Sequence, residues 1–134
     1  VEATLTGLAD AGYLLAVATG KSRRGLAREL DETGLGSLFH ATRCADETFS
    51  KPHPQMLDEI MGELGAAAGD TLMIGDTEYD MQMAANSGTA ALGVSYGVHE
   101  PHRLLAHGAL GTLKRIAELP AWLEPRRRQI TGAD

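Results

Sequence analysis

Apolar positions along the chain switch repeatedly between helical spacing and short unbroken runs. Val1, Leu5 and Leu8 recur at helical spacing and stop before Gly12, so residues 1–11 read as a helix with a glycine end. Residues 13–19 (YLLAVAT) form a continuous apolar run, as a strand buried on both faces should. Gly20 breaks it. Ser22 is placed to cap a helix in which Leu26 and Leu30 lie one turn apart, and Gly34 ends that helix. A weaker strand follows at 39–44. From Pro54 onward Leu57, Ile60, Met61 and Leu64 recur at i, i+3, i+4 and i+7, an amphipathic helix. Residues 71–75 (TLMIG) read as another buried strand and 90–95 as a fourth. Between them 78–87 reads as a helix with Met81, Ala84 and Ala85 on one side, ended by Gly88. Closing helices are expected at 103–107 and 112–119, the second ended by Pro120. Residues 121–134, which include Arg126, Arg127 and Arg128, are read as a mobile tail.

Four apolar strands separated by amphipathic helices predict an α/β fold, a doubly wound parallel sheet with helices on both faces, within one domain at 1–120. Composition narrows the class. Hydrophobic residues are 43% and charged residues 22%, ordinary globular usage that argues against disorder. Aromatics are only 4%, so the core has to come from aliphatic side chains and methionines, with Met56, Met61, Met73, Met81 and Met83 as filler. No apolar run approaches the ~18 residues a membrane span needs, and residues 1–20 carry no basic-then-apolar leader. Eighteen acidic against twelve basic residues give a net charge of −6, which argues against nucleic acid. Cys44 stands alone, cannot form an internal disulfide, and sits in an apolar strand as an inert core thiol. The expectation is a soluble, cytoplasmic domain with neither nucleic acid nor membrane as partner.

Ligands in such sheets bind at the carboxyl ends of the strands, so those positions carry the candidate chemistry. After the first strand stand Thr19, Gly20, Lys21 and Ser22, a hydroxyl and a bare turn at a helix start, able to hold a phosphate or simply to cap the helix. A P-loop is excluded because Leu15 occupies the position where that motif needs its first glycine, and no GxGxxG follows any strand. After the second strand comes Ser50-Lys51-Pro52-His53-Pro54, a stiffened loop whose lysine suits a phosphate or carboxylate, or is an ordinary surface lysine. After the third comes Gly75-Asp76-Thr77-Glu78-Tyr79-Asp80. Asp76 and Asp80 lie one helical turn apart and suit Mg²⁺, or Asp76 caps the helix while Asp80 is solvated. His99 and His102 flank Pro101, but their spacing matches no standard ligand pair.

A hydroxyl-Gly turn, a fixed lysine and a carboxylate pair, in order after three successive strands, resemble the haloacid dehalogenase superfamily of phosphohydrolases. Thr19 matches that family's second motif, Lys51 in KPHP its third, and Asp76 and Asp80 in GDTEYD its fourth. The following MAANSG and GVSYG are similar to the phosphoglycolate-phosphatase branch, and the similarity runs from about Val1 to Leu119. The resemblance implies a catalytic set of Thr19, Lys51 and Asp76, phosphate binding by Thr19, Gly20, Lys21 and Lys51, and Mg²⁺ held by Asp76 and Asp80. The implied substrate is a small phosphorylated metabolite.

Members of the family also open with a strand ending in Asp-x-Asp, whose first aspartate attacks phosphorus. None of Asp10, Asp31, Asp46, Asp58, Asp70, Asp76, Asp80 or Asp134 is followed by aspartate two residues on. By resemblance, that strand belongs in the middle of the sheet, between the strands ending at Thr19 and Gly75. The residues here are therefore expected to be an incomplete core, inactive alone, cut from a longer chain that also carries a cap. Exposed sheet edges would favour self-association. The competing expectation is a non-catalytic module that binds phosphate, Mg²⁺ or a protein partner.

Overall fold

The computed structural model describes residues 2–94 and 101–124. Helix and strand alternate as α1 (Glu2–Asp10), β1 (Ala16–Thr19), α2 (Arg23–Thr33), β2 (Ala41–Cys44), α3 (Gln55–Leu64), β3 (Leu72–Gly75), α4 (Glu78–Ser87), β4 (Ala90–Val94), α5 (Pro101–Ala106), β5 (Thr112–Leu113) and α6 (Leu119–Leu123). Every strand pairing is parallel. Ser22 caps α2 by accepting from the Gly25 amide, and α2, α3 and α4 each end on a left-handed glycine, at Gly34, Gly65 and Gly88.

Side chains along β3 and β4 alternate between two cores, which is how a sheet covered on both faces should pack. Met73 and Ala91 point into one core with Met56, Leu57 and Met61 of α3, Met81 and Ala84 of α4, and Leu104 of α5. Leu92 and Val94 point into the other with Leu8 of α1, Leu113, and Leu119 and Leu123 of α6. All five methionines are buried, and Cys44 is fully so. The α/β architecture expected from the sequence is present.

The described strands form two sheets rather than one, β1–β2 and β3–β4–β5. Between them lies an apolar groove of about 570 Å³, lined by Ala16, Val17 and Ala18 of β1 and by Leu72, Met73 and Ile74 of β3. Among the described residues neither β1 nor β3 has a strand on the edge facing this groove. The place where the sequence resemblance puts a central strand is thus an open, apolar slot.

The carboxyl-terminal region differs from its expectation. Residues 112–119 are not one helix: Thr112 and Leu113 pair with Gly93 and Val94 as β5, and a 3₁₀ turn, Ile116–Glu118, follows. Pro120 does not end a helix but sits in the first turn of α6, where its missing N–H would have no partner anyway. The tail expected from residue 121 is part of α6 as far as Leu123, which is buried against Leu8 and Leu113. Residues 125–134, residues 95–97 of the GVSYG stretch, and His99 lie outside the described residues.

Candidate active site

The carboxyl ends of β1, β2 and β3 share one end of the molecule. β1 and β2 run parallel, and the loop leaving β2 brings Lys51 onto Asp80, just past the end of β3. Lys51 Nζ donates to Asp80 Oδ1, and the lysine is partly buried while the carboxylate is almost fully so. The loop bearing Lys51 lies along α4. Asn86 Nδ2 donates to the Pro52 carbonyl at 2.9 Å and Ser87 Oγ to the Pro54 carbonyl at 3.4 Å, while the Lys51–Pro52 peptide is cis. Lys51 is therefore a fixed group rather than a solvated surface lysine. Its ammonium has three N–H donors, so the bond to Asp80 leaves others for a ligand.

The second oxygen of Asp80 faces the turn after β3. Oδ2 accepts from the amides of Asp76 (3.1 Å) and Thr77 (3.2 Å) and from the Thr77 hydroxyl (3.1 Å). The Asp80 amide donates back to Thr77 Oγ1, so Thr77 and Asp80 form a capping box at the start of α4. The helix cap is thus Thr77, not Asp76. Gly75 permits this fold-back, because a Cβ there would lie 2.6 Å from both Cγ and Oδ2 of Asp80. The sequence expectation pairs Asp76 with Asp80 around one cation; in the structure the Asp80 oxygens bond Lys51 and the turn. Among the described residues no donor is bonded to the Asp76 carboxylate, which stands half-buried at the end of β3. No group of three or more metal-type side chains gathers among the described residues. A single free carboxylate still fits Mg²⁺, which commonly takes one or two protein carboxylates and fills its shell with water and substrate oxygens.

Thr19 ends β1 half-buried, and its Oγ1 accepts from the Lys21 amide at 3.1 Å. That bond orients the hydroxyl and leaves its proton to donate elsewhere. Gly20 is exposed beside it. Lys21, expected among the phosphate-binding side chains, extends along α2 to Glu29 at 3.1 Å, so only its backbone serves the turn. His53 accepts from the Gln55 amide through Nδ1 and stacks its ring on Phe49 at 4.7 Å.

Two features escape a reading of motifs alone. Thr77 is legible afterwards as the first member of a Thr-x-x-Asp capping box. The other is a link between the first two loops: Arg23 forks onto Glu47, with Nε to Oε2 at 2.9 Å and Nη2 to Oε1 at 2.7 Å. The pairing holds the Glu47 carboxyl below its usual range and raises the Arg23 guanidinium. Nothing in the spacing of Arg23 and Glu47 announces it, because the contact depends on two strands lying side by side. Burial pushes the Cys44 thiol up, as befits a core position.

Comparison with known proteins identifies the family. The family model described as haloacid dehalogenase-like hydrolase matches residues 1–94. The "Probable phosphatase IndB" of Dickeya dadantii is 44% identical over 96 residues, which are 71% of this chain and 42% of that protein. The phosphoglycolate phosphatase of Pectobacterium atrosepticum is 36% identical over 98 residues, 72% of this chain and 42% of the relative. A solved structure from Haemophilus somnus, described as a "predicted phosphoglycolate phosphatase", superposes with a TM-score of 0.85 at 26% identity, covering 92% of this chain and 56% of that one. The chain thus spans about two fifths of the length of these curated relatives. With an α/β core, a lysine anchored at the end of β3 and a family match over most of its length, the chain belongs to the haloacid dehalogenase-like hydrolases, in their phosphoglycolate-phosphatase-like branch.

Proposed function

We propose that these residues form the core of a Mg²⁺-dependent phosphatase that hydrolyses a phosphate monoester of a small metabolite. One observation carries the reading: a lysine from the end of β2 is fixed by Asp80 beside the free carboxylate of Asp76 at the end of β3. A cation and a metal-ready carboxylate held side by side suit a dianionic phosphoryl group better than any uncharged substrate.

Asp76 would hold Mg²⁺, which would supply charge neutralisation for the phosphoryl oxygens. Lys51 donates its remaining N–H groups to the same oxygens, and Asp80 keeps that lysine in place. Thr19 gives its hydroxyl proton to another oxygen, with its own lone pair engaged by the Lys21 amide. Transfer of this kind depends mainly on positioning and charge stabilisation, which are the tasks these side chains can perform. Each is assigned to binding and charge neutralisation, and none to attack on phosphorus. The attacking group in the proposal is the aspartate of an Asp-x-Asp strand seated in the groove between β1 and β3. Its carboxylate oxygen bonds phosphorus as the ester P–O bond breaks and the second aspartate of that pair protonates the leaving oxygen; water, giving a proton back to that aspartate, then releases orthophosphate from the aspartyl-phosphate. A cytoplasmic setting is part of the same proposal.

The test is phosphate release from phosphoglycolate, p-nitrophenyl phosphate and pyrophosphate by the product of the complete gene, with Mg²⁺ and with chelator. Turnover that requires Mg²⁺ and disappears in Asp76→Asn is expected. Metal-independent turnover, or an active Asp76→Asn protein, would contradict the metal assignment. A second reading, a non-catalytic phosphate-binding module, would use the same groups, Thr19, Lys51 and Asp76. That reading expects phosphate to bind without any ester being hydrolysed.

A further inference from the structure

The groups assigned to one phosphoryl group sit on loops from two separate sheets, and hydrogen bonds at the strand ends tie the first two of those loops together. Arg23 opens α2, directly after the cap Ser22, and its side chain turns back over β2. Nη1 donates to Thr42 Oγ1 at 2.7 Å and Nη2 to the Thr42 carbonyl at 3.2 Å, while Nε and Nη2 fork onto Glu47. Glu47 Oε1 also accepts from the Cys44 amide at 2.9 Å, so the carboxylate caps the end of β2. Two bonds donated by backbone amides run alongside. The Arg23 amide donates to Asp46 Oδ1 at 3.0 Å, and the Ala45 amide donates to the Lys21 carbonyl at 3.0 Å.

We propose that Arg23 and Glu47 are positioning residues that hold the Thr19–Gly20–Lys21 turn and the Lys51 loop in register, so that both address the same phosphoryl group. The inference rests on the phosphatase reading above. Upstream of the clamp, the Lys21 peptide is fixed through its carbonyl, and its amide in turn orients Thr19 Oγ1. Downstream, Thr48, Phe49 and Ser50 separate Glu47 from Lys51. Thr48 Oγ1 contacts the Cys44 carbonyl at 3.4 Å and the Phe49 amide donates to Gln55 Oε1 at 2.8 Å, so that short span has little freedom. Arg23 and Glu47 are both around 40% exposed, and half-exposed ion pairs contribute little to global stability. A forked guanidinium–carboxylate pair does define geometry, and lysine cannot reproduce the fork. The clamp should therefore matter more to alignment than to folding.

Two measurements separate this role from a merely structural one. The first is amide hydrogen exchange in the complete gene product, comparing wild type with Glu47→Gln and Arg23→Lys. Faster exchange, by roughly tenfold, is expected in residues 19–22 and 46–51 together, with α4 unchanged. Unchanged exchange, or a change confined to one of the two segments, would overturn the coupling whatever the activity. The second is steady-state phosphate release by the complete gene product. Each variant should lose roughly ten- to a hundredfold in kcat with KM little changed, and the double variant should be no worse than the more affected single one. Independent, multiplying losses or a wild-type kcat would also overturn it. If the exchange results hold but Lys51→Ala leaves phosphate release intact, the clamp exists and the phosphatase site assignment is what fails.

Discussion

Asp80 is the residue on which the site turns. Its carboxylate is almost fully buried, yet both oxygens are bonded, one to Lys51 and the other to the amides of Asp76 and Thr77 and the Thr77 hydroxyl. Removing one partner of a buried, hydrogen-bonded pair is costly because the other is left desolvated without compensation. Asp80→Ala should destabilise the protein by about 3 kcal/mol in urea unfolding, since it orphans a lysine and two turn amides at once. Asp80→Asn keeps acceptor capacity for the turn and should cost clearly less. Equal losses for the two would mean that the charge, and not the acceptors, dominates. Gly75 makes the same point from the backbone side. A methyl group there would drive into Asp80, so Gly75→Ala should cost about 1–3 kcal/mol and disturb Lys51, whereas a near-neutral result would show that the turn can relax.

At the scale of elements, the loops at the strand ends are held by charged pairs whose strength depends on pH. Arg23 lowers the carboxyl of Glu47, and Arg43, on β2, lowers that of Glu59 and also bonds Glu63, both on α3. A carboxyl held lower in the folded state stabilises the fold fully above its unfolded value, about 4.3, and loses that contribution as pH falls through the folded value. The urea midpoint should therefore fall on acidification below the ordinary carboxylate range, with Glu47→Gln, at a half-exposed pair, changing that fall only slightly. A midpoint that does not fall at all through that range would contradict the lowered carboxyls. Much of this level could be read from the sequence. Helices such as Glu78–Ser87 announce themselves through apolar spacing and a terminal glycine, local signals that survive without tertiary context. The Arg23–Glu47 fork and the short β5 could not be read that way. Both depend on neighbours distant in sequence, and two residues at Thr112–Leu113 are too few to show a period. Pro120 misleads for a related reason, since proline both ends helices and begins them, and only packing of Leu119 and Leu123 decides between the two.

For the molecule as a whole, the open slot between β1 and β3 matters most. Apolar side chains line it, two strand edges face it, and the loops that follow β1 and β3 leave from one end of it. A strand placed there parallel to both neighbours would deliver its carboxyl end to Thr19, Lys51 and Asp76, which is where the proposed nucleophile is needed. The same edges left open would favour pairing with a second copy, so the 134-residue chain by itself should associate with increasing concentration in sedimentation experiments. A concentration-independent monomer would mean that the slot closes without a partner. The Thr19, Lys51 and Asp76 motifs and the parallel α/β plan were all legible in the sequence. The slot was legible only through family resemblance, because an absent strand leaves no periodicity to detect.

The central claim is that these residues bind and align a phosphoryl group that an aspartate elsewhere attacks. Acid quenching of the complete gene product during turnover of a radiolabelled phosphate ester, followed by peptide mapping, tests it most directly. The account predicts a hydroxylamine-labile phosphoryl group on an Asp-x-Asp peptide that lies outside the 134 residues. Label on Thr19, Ser22 or any other residue of this chain, or no ester hydrolysed at all, would contradict it.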